Sequence, residues 1–182
     1  MDATERKKEI INSCLALLVE KGLTRTTTRD LSTAMKLQSG GMYYYFPLKD
    51  ELIVACAEEA VLRVEGSLFG LALAELTQPK LLMQHLQSDA ASLGPTMKFF
   101  VSVCADKRYA ERMRPVLERV GKRYTQYAER IAKELNTDVK EIMPFVFMMI
   151  TAMSNYMVFD EASFVAPQLK AVQIKLERIL AG

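Results

Sequence analysis

Residues 26–52 constrain the fold most. They contain signals for the beginning and end of helices and for a tight connection, and these signals are so close together that only short helices fit between them. Thr27 followed three residues later by Asp30 has the form of a capping box, which closes the unpaired amides of a helix start. Each short helix then has one small apolar face with helical spacing. These faces comprise Leu31, Ala34 and Met35 on the first helix, and Met42, Tyr45 and Phe46 on the second. Gln38 or Ser39 can cap the second helix.

The residues left on the outer side of the second helix suit the surface of a DNA duplex. Gly40 and Gly41 carry no side-chain bulk and allow a close backbone approach, although each glycine costs a helix about 1 kcal/mol relative to alanine. The hydroxyls of Tyr43 and Tyr44 are good donors to phosphate oxygens, and Lys49 can add a charged donor. For the tyrosines alone, an ordinary amphipathic hairpin remains the alternative interpretation.

Taken together, residues 5–52 resemble the DNA-binding domain of the TetR (tetracycline repressor) family. The most specific part of the resemblance is residues 40–46, with Lys49, Glu51 and Leu52 at the expected distance. The resemblance implies that base edges are approached by Gln38, Ser39, Gly40 and Gly41. It implies that phosphates are contacted by Thr27, Thr28, Tyr43, Tyr44, Tyr45 and Lys49.

Two positions depart from the family pattern. Lys36 stands where the family usually has glycine, which predicts a strained or reshaped turn. Leu48 stands where the family usually has serine or asparagine, so the helix that follows should lack a side-chain cap. Neither residue belongs to the surface expected to face DNA.

Composition places the chain among folded proteins. Half of its 182 residues are apolar, enough for a substantial core, and the net charge is only +2. Any nucleic-acid binding must therefore be local rather than a property of the whole surface. We expect an all-α protein with a three-helix helix-turn-helix DNA-binding domain over residues 1–48 and a helical ligand-binding and dimerisation domain over residues 49–182.

Apolar periodicity, proline and glycine predict the helices outside residues 26–52. The first helix spans residues 2–21 and supports the two short ones. A long helix from Lys49 to about residue 71 forms a mechanical connector, and Leu93-Gly94-Pro95 breaks the chain. Pro115 should kink its helix or mark the true beginning of that helix. The predicted later helices are residues 79–91, 96–105, 106–135, 139–159, and the chain from Pro167 onward.

Residues 142–159 carry no charge, which raises two possibilities. Their length reaches the lower limit for a membrane span, but polar side chains inside and acidic residues at the edges favour a buried helix without membrane contact. A helix that is apolar nearly all round needs a partner on each side. With the last helix, it predicts a four-helix interface between two copies of the chain.

The resemblance implies an apolar cavity with a few polar groups, lined by Phe100, Tyr124, Tyr127, Phe147 and Asn155. The residues by themselves favour a filled core, because apolar stripes at helical spacing usually pack against each other. The resemblance implies a small-molecule effector between these helices.

Several other classes of function are disfavoured. His85 is the only histidine, and the three cysteines are widely spaced without CxxC or CxxH pairs, so we expect no metal site, no cofactor and no enzymatic nucleophile. The resemblance implies a cytoplasmic, homodimeric, ligand-responsive transcriptional repressor that binds a double-stranded DNA operator. A membrane-associated or soluble helical adaptor without operator binding is the alternative.

Overall fold

The computed structural model describes residues 3–37, 41–71, 78–159 and 162–180, and these residues form eight α-helices and no strand. The all-α expectation is therefore confirmed. The helices are α1 (Ala3–Lys21), α2 (Thr28–Ala34), α3 (Gly41–Tyr45), α4 (Lys49–Leu68), α5 (Pro79–Ala105), α6 (Ala110–Glu134), α7 (Val139–Phe159) and α8 (Ala162–Leu180).

The chain packs as two compact units. The first unit comprises Met1–Arg63 and Pro95–Val116, and the second comprises Val64–Gly94 and Leu117–Gly182. Helices α4, α5 and α6 each contribute residues to both units. The boundaries between the packing units therefore differ from residue 48. The expected boundary at that residue, between a DNA-binding domain and a regulatory domain, stays a prediction.

The first unit is built on apolar faces with helical spacing. Burying one such aliphatic or aromatic side chain stabilises a fold by about 1.5–3 kcal/mol. The fully buried set comprises Ile10, Cys14, Leu15 and Leu18 of α1, Leu31 and Met35 of the α2 region, Met42 and Phe46 of the α3 region, and Leu52, Ile53 and Cys56 of α4. Helix α1 packs against α2 and α2 packs against α3, which agrees with the supporting role expected for the first helix.

The predicted break at Leu93-Gly94-Pro95 is wrong, because α5 runs without interruption from Pro79 to Ala105. Gly94 has a packing role: a Cβ atom there would lie 2.8 Å from the backbone oxygen of Met157 in α7. Pro95 is exposed, and so is Ala91, whose carbonyl loses its helical donor to the proline. Water can solvate that carbonyl, which is why the helix tolerates the proline.

Two other helix starts differ from the sequence expectation. Helix α8 begins at Ala162 rather than at Pro167, and α6 begins at Ala110, so that Pro115 lies inside it. In both helices the proline follows the first residue by five positions and removes only one hydrogen bond near the start. Helix α4 ends at Leu68, slightly before the predicted end at residue 71.

Helix α7 has the bounds that the sequence predicts, and it packs against α8. Eight of its side chains are buried, including Ile142, Met149 and Met153. It is also the one helix in the described part of the chain whose length and composition would allow it to cross a membrane. Length and composition alone do not separate a membrane span from the core helix of a folded domain, which passes the same test.

Gly94→Ala tests the close approach of α5 to α7. We expect the added methyl to push the two helices apart and to lower the free energy of unfolding by about 1–3 kcal/mol. Urea unfolding followed by circular dichroism measures this change.

The matched control is Gly121→Ala, at a glycine within α6 where an added Cβ meets no atom within 4 Å. It should raise stability by about 0.5–1 kcal/mol, because alanine favours a helix over glycine. Equal effects of the two substitutions would contradict the packing role of Gly94.

Candidate nucleic-acid interface

A reciprocal cap fixes the start of α2, as the sequence predicts. The Asp30 amide donates to Thr27 Oγ1 at 3.2 Å, and the Thr27 amide donates to Asp30 Oδ2 at 2.7 Å. Lys21 Nζ, at the end of α1, lies 2.6 Å from the same carboxylate oxygen. Lys21, together with Thr27, holds the pKa of Asp30 well below its usual range. Sequence reasoning missed Lys21, which ties the end of α1 to the start of α2.

The turn after α2 is strained at Lys36, which confirms the expectation from its unusual residue. Lys36 has a φ of 54°, in the left-handed region that glycine adopts without cost. The Leu37 amide donates to Ser32 O at 3.1 Å and closes the turn. Arg6 of α1 donates through Nη2 to Met35 O at 3.0 Å, which satisfies a carbonyl at the end of α2. Arg6 is a second positioning residue that periodicity could not reveal.

Helix α3 presents two tyrosines to the outside. Met42 and Phe46 are buried on its inner side, whereas Tyr43 is 52% exposed and Tyr44 is 84% exposed. Tyr45 is half-buried, and its ring meets that of Tyr44 edge to face at 4.9 Å. The structure therefore brings the exposed tyrosines to one side of a short, well-packed helix.

The start of α3 is described only from Gly41 onward. Gln38, Ser39 and Gly40, which the resemblance places at base edges, lie outside the described residues. A Cβ on Gly41 would lie 3.0 Å from Leu37 Cβ, so this glycine also has a packing reason within the unit.

Lys49 makes a contact that the sequence did not predict. Its Nζ donates to Thr26 O at 2.7 Å and joins the start of α4 to the segment before α2. Leu48 offers only its backbone, whose carbonyl accepts from the amides of Glu51 and Leu52. The absence of a side-chain cap from position 48 agrees with the sequence expectation. Thr28, the remaining predicted phosphate contact, is half-buried in the first turn of α2.

The residues predicted to bind a ligand fall in both units. In the second unit, the Tyr124 ring lies edge to face with Phe147 at 5.8 Å and with Phe69 at 5.6 Å. Tyr127 stacks on Phe69 at 4.7 Å. Burial raises the pKa of both tyrosines to about 12. The sequence missed Phe69 at the centre of this cluster, because it follows the last turn of α4 and belongs to no periodic stripe.

Two of the predicted ligand residues are not placed in this cluster. Asn155 is half-buried on α7, in the same unit, and Phe100 is buried in the first unit.

A Ser, Asp and His cluster in the second unit does not form a catalytic triad. Ser67 Oγ donates to Asp89 Oδ2 at 2.6 Å, and both oxygens face His85 Nε2, at 3.2 and 3.3 Å. A triad needs the carboxylate at the other ring nitrogen, with the serine proton available to the histidine. This arrangement offers no activated nucleophile.

The cysteines are free thiols. Burial raises the pKa of Cys14 and Cys104 to about 11 and holds the pKa of Cys56 well above its usual value, so these side chains stay protonated near neutral pH. Over the described ranges, no group of three His, Cys, Asp or Glu residues is placed to hold a metal ion.

Comparison with known proteins agrees with this geometry. Residues 10–56 match the family described as bacterial regulatory proteins, tetR family. The crystal structure of the multidrug binding protein EbrR complexed with imidazole superposes with a TM-score of 0.54 at 20% sequence identity, over 96% of this chain and 94% of that one. No curated protein sequence matches the chain. The N-terminal helix-turn-helix region of the chain therefore matches the tetR family of bacterial regulatory proteins, and the similar crystal structure shows the same overall fold.

Proposed function

We propose that this protein is a cytoplasmic, homodimeric repressor that binds a palindromic operator and is released from it by a small molecule. The exposed tyrosine side of α3 carries the proposal, because Tyr43 and Tyr44 are open to solvent while Met42 and Phe46 of the same region are buried. A short helix with one side fixed and the other free can insert into a major groove.

In the proposed complex, α3 lies in the major groove with its N-terminal end against the bases. Residues 38–41 approach base edges, and the three tyrosine hydroxyls donate to phosphates on either side. Thr27 and Thr28 contact a phosphate at the start of α2, where backbone amides favour an anion. The cap at Thr27 and the Lys36 turn hold α2 and α3 in this arrangement.

Removing a hydroxyl from the outer side of α3 should weaken DNA binding without changing sequence preference. We expect Tyr43→Phe and Tyr44→Phe each to reduce affinity about three- to ten-fold, for the operator and for unrelated duplexes alike. Fluorescence anisotropy with labelled duplexes measures both affinities. Tyr156→Phe, a buried tyrosine of α7, serves as the control and should leave them unchanged. Full affinity in both α3 variants would place the tyrosines away from DNA.

Lys49 is proposed to contact a phosphate through the N–H donors of its ammonium group that do not bind Thr26 O. Lys49→Gln should therefore lower the slope of log affinity against log salt by about one, because one fewer counterion is released. The slope comes from anisotropy titrations at several salt concentrations. An unchanged slope, with the affinity loss following a loss of thermal stability, would mean that Lys49 serves only the contact with Thr26.

The second unit supplies the proposed dimer interface. Phe147 and Phe159 of α7 are 37% and 62% exposed, and Ile174 of α8 is 41% exposed. Covering such side chains stabilises association by about 25 cal/mol per Å² of apolar surface. Helices α7 and α8, paired with their copies, would form a four-helix interface that gives two α3 helices the symmetry of a palindrome.

Ile174→Glu should break this dimer, because a charge would be buried at the interface. Leu62→Glu is a closely matched control, since Leu62 of α4 has the same exposed fraction, 41%. Sedimentation velocity should show a monomer for the first variant and a dimer for the second. A dimer that survives Ile174→Glu would exclude this surface.

The release step is proposed to act through α4, which begins in the first unit and ends in the second. A ligand that binds one spacing of the two α3 helices better than another shifts the population toward that spacing. EbrR, the similar structure, is a multidrug binding protein, which supports an effector role for the second unit.

An electrophoretic shift with DNA flanking the protein's own gene, repeated with a metabolite panel, tests operator binding and release together. A monomer indifferent to duplexes at low salt would overturn the proposal.

A further inference from the structure

A cleft at the end of α4 is the feature of the second unit that the repressor proposal leaves without a specific role. It has a volume of about 310 Å³ and is lined by Phe69, Arg123, Gln126, Tyr127 and Arg130. This volume lies at the lower end of the range for small-molecule sites. The charged side of α6 predicts only a solvated surface from the sequence, so neither arginine was expected to line a site.

Arg130 is held at the edge of the cleft. Its Nη2 donates to Phe69 O at 2.6 Å, and its guanidinium carbon lies 4.9 Å from the centre of the Tyr127 ring. Glu134 approaches Arg130 Nε only to 3.9 Å, and both side chains are about half exposed, so water screens this pair. The guanidinium is therefore fixed in place, and it has further N–H donors in a planar fork that matches a carboxylate.

Two buried polar groups on residues that line the cleft meet no hydrogen-bond acceptor within the described residues, although Arg130 approaches the Tyr127 hydroxyl as a donor. They are the hydroxyl of Tyr127, a side chain only 3% exposed, and Nη2 of Arg123. Arg123 uses Nε to bind Glu65. Burial raises the pKa of Tyr127 to about 12, so the hydroxyl keeps its proton and can donate. Leaving such donors unsatisfied costs folding free energy, and an acceptor on a bound molecule would satisfy them.

The remaining lining is aromatic, because Phe69 and Tyr127 both contribute to it, and their rings stack on each other at 4.7 Å with an interplanar angle of 20°. An apolar ring can pack against the aromatic surface that this pair leaves open to the cleft. We propose that the cleft binds an aromatic carboxylate, with its carboxylate on Arg130 and the Tyr127 hydroxyl and its ring against Phe69. This inference rests on the proposed function only for its effect on DNA, since binding itself does not depend on an operator.

Isothermal titration calorimetry on the full chain tests the ligand class with two probes of the same shape, 2-naphthoate and the neutral 2-naphthamide. We expect 2-naphthoate to bind at least about ten-fold more tightly than the amide. Its affinity should fall as salt rises, because the contact is charged and partly exposed to water.

Variants separate this site from a structural role of the same residues. Arg130→Gln should weaken 2-naphthoate binding about ten-fold or more while leaving 2-naphthamide within about two-fold, whereas a loss of fold would weaken both. Arg130→Lys should restore part of the affinity, since it keeps the charge without the fork. Tyr127→Phe should cost about three-fold or more. The control is Arg114→Gln, an exposed arginine of α6 that pairs with Glu111 at 3.1 Å.

Three results would overturn the inference: no binding of 2-naphthoate at about 1 mM, equal binding of acid and amide, or unchanged binding in Arg130→Gln. Binding of the DNA duplex is measured separately from binding of 2-naphthoate, so the two proposals can fail independently. If 2-naphthoate binds as expected but duplex binding is absent, the repressor proposal fails and the cleft stands. If the duplex binds and 2-naphthoate does not, the cleft fails and the repressor proposal stands.

Discussion

Burial of Met42 and Phe46 is the constraint on which the interface depends. Helix α3 has only five residues, and a helix of that length is not stable by itself in water. Its two apolar anchors are buried within the first unit, where α3 packs against α2, and they leave Tyr43 and Tyr44 outside. The exposed side of α3 is thus a consequence of what its inner side must bury.

The polar contacts at the two ends of α2 set the position of that helix, against which α3 packs, more finely than the apolar core can. The Lys21 to Asp30 contact and the Thr27 cap fix the start of α2, and Arg6 fixes its end. These contacts are directional, whereas apolar burial is not. Strain at Lys36 is tolerated because two hydrogen bonds hold its neighbours, from the Leu37 amide to Ser32 O and from Arg6 to Met35 O.

The second unit combines two kinds of surface with different proposed uses. The exposed apolar side of α7 and α8 suits association between copies of the chain. The cleft beside Phe69 instead joins an aromatic wall to arginine donors, which suits a small molecule with a charged group. Helices α4, α5 and α6 each contribute residues to both units.

The sequence alone determined the helical class, the capping box and the inner and outer sides of α3, because these depend on local spacing that any helix must obey. It could not determine that Gly94 serves a close helix crossing rather than a break, since that depends on Met157, far along the chain. Nor could the sequence show that the arginines beside Phe69 line a cleft, because the same residues could equally lie on a solvated helix surface. Tertiary structure decided these points, because only packing brings distant residues within hydrogen-bond and van der Waals reach.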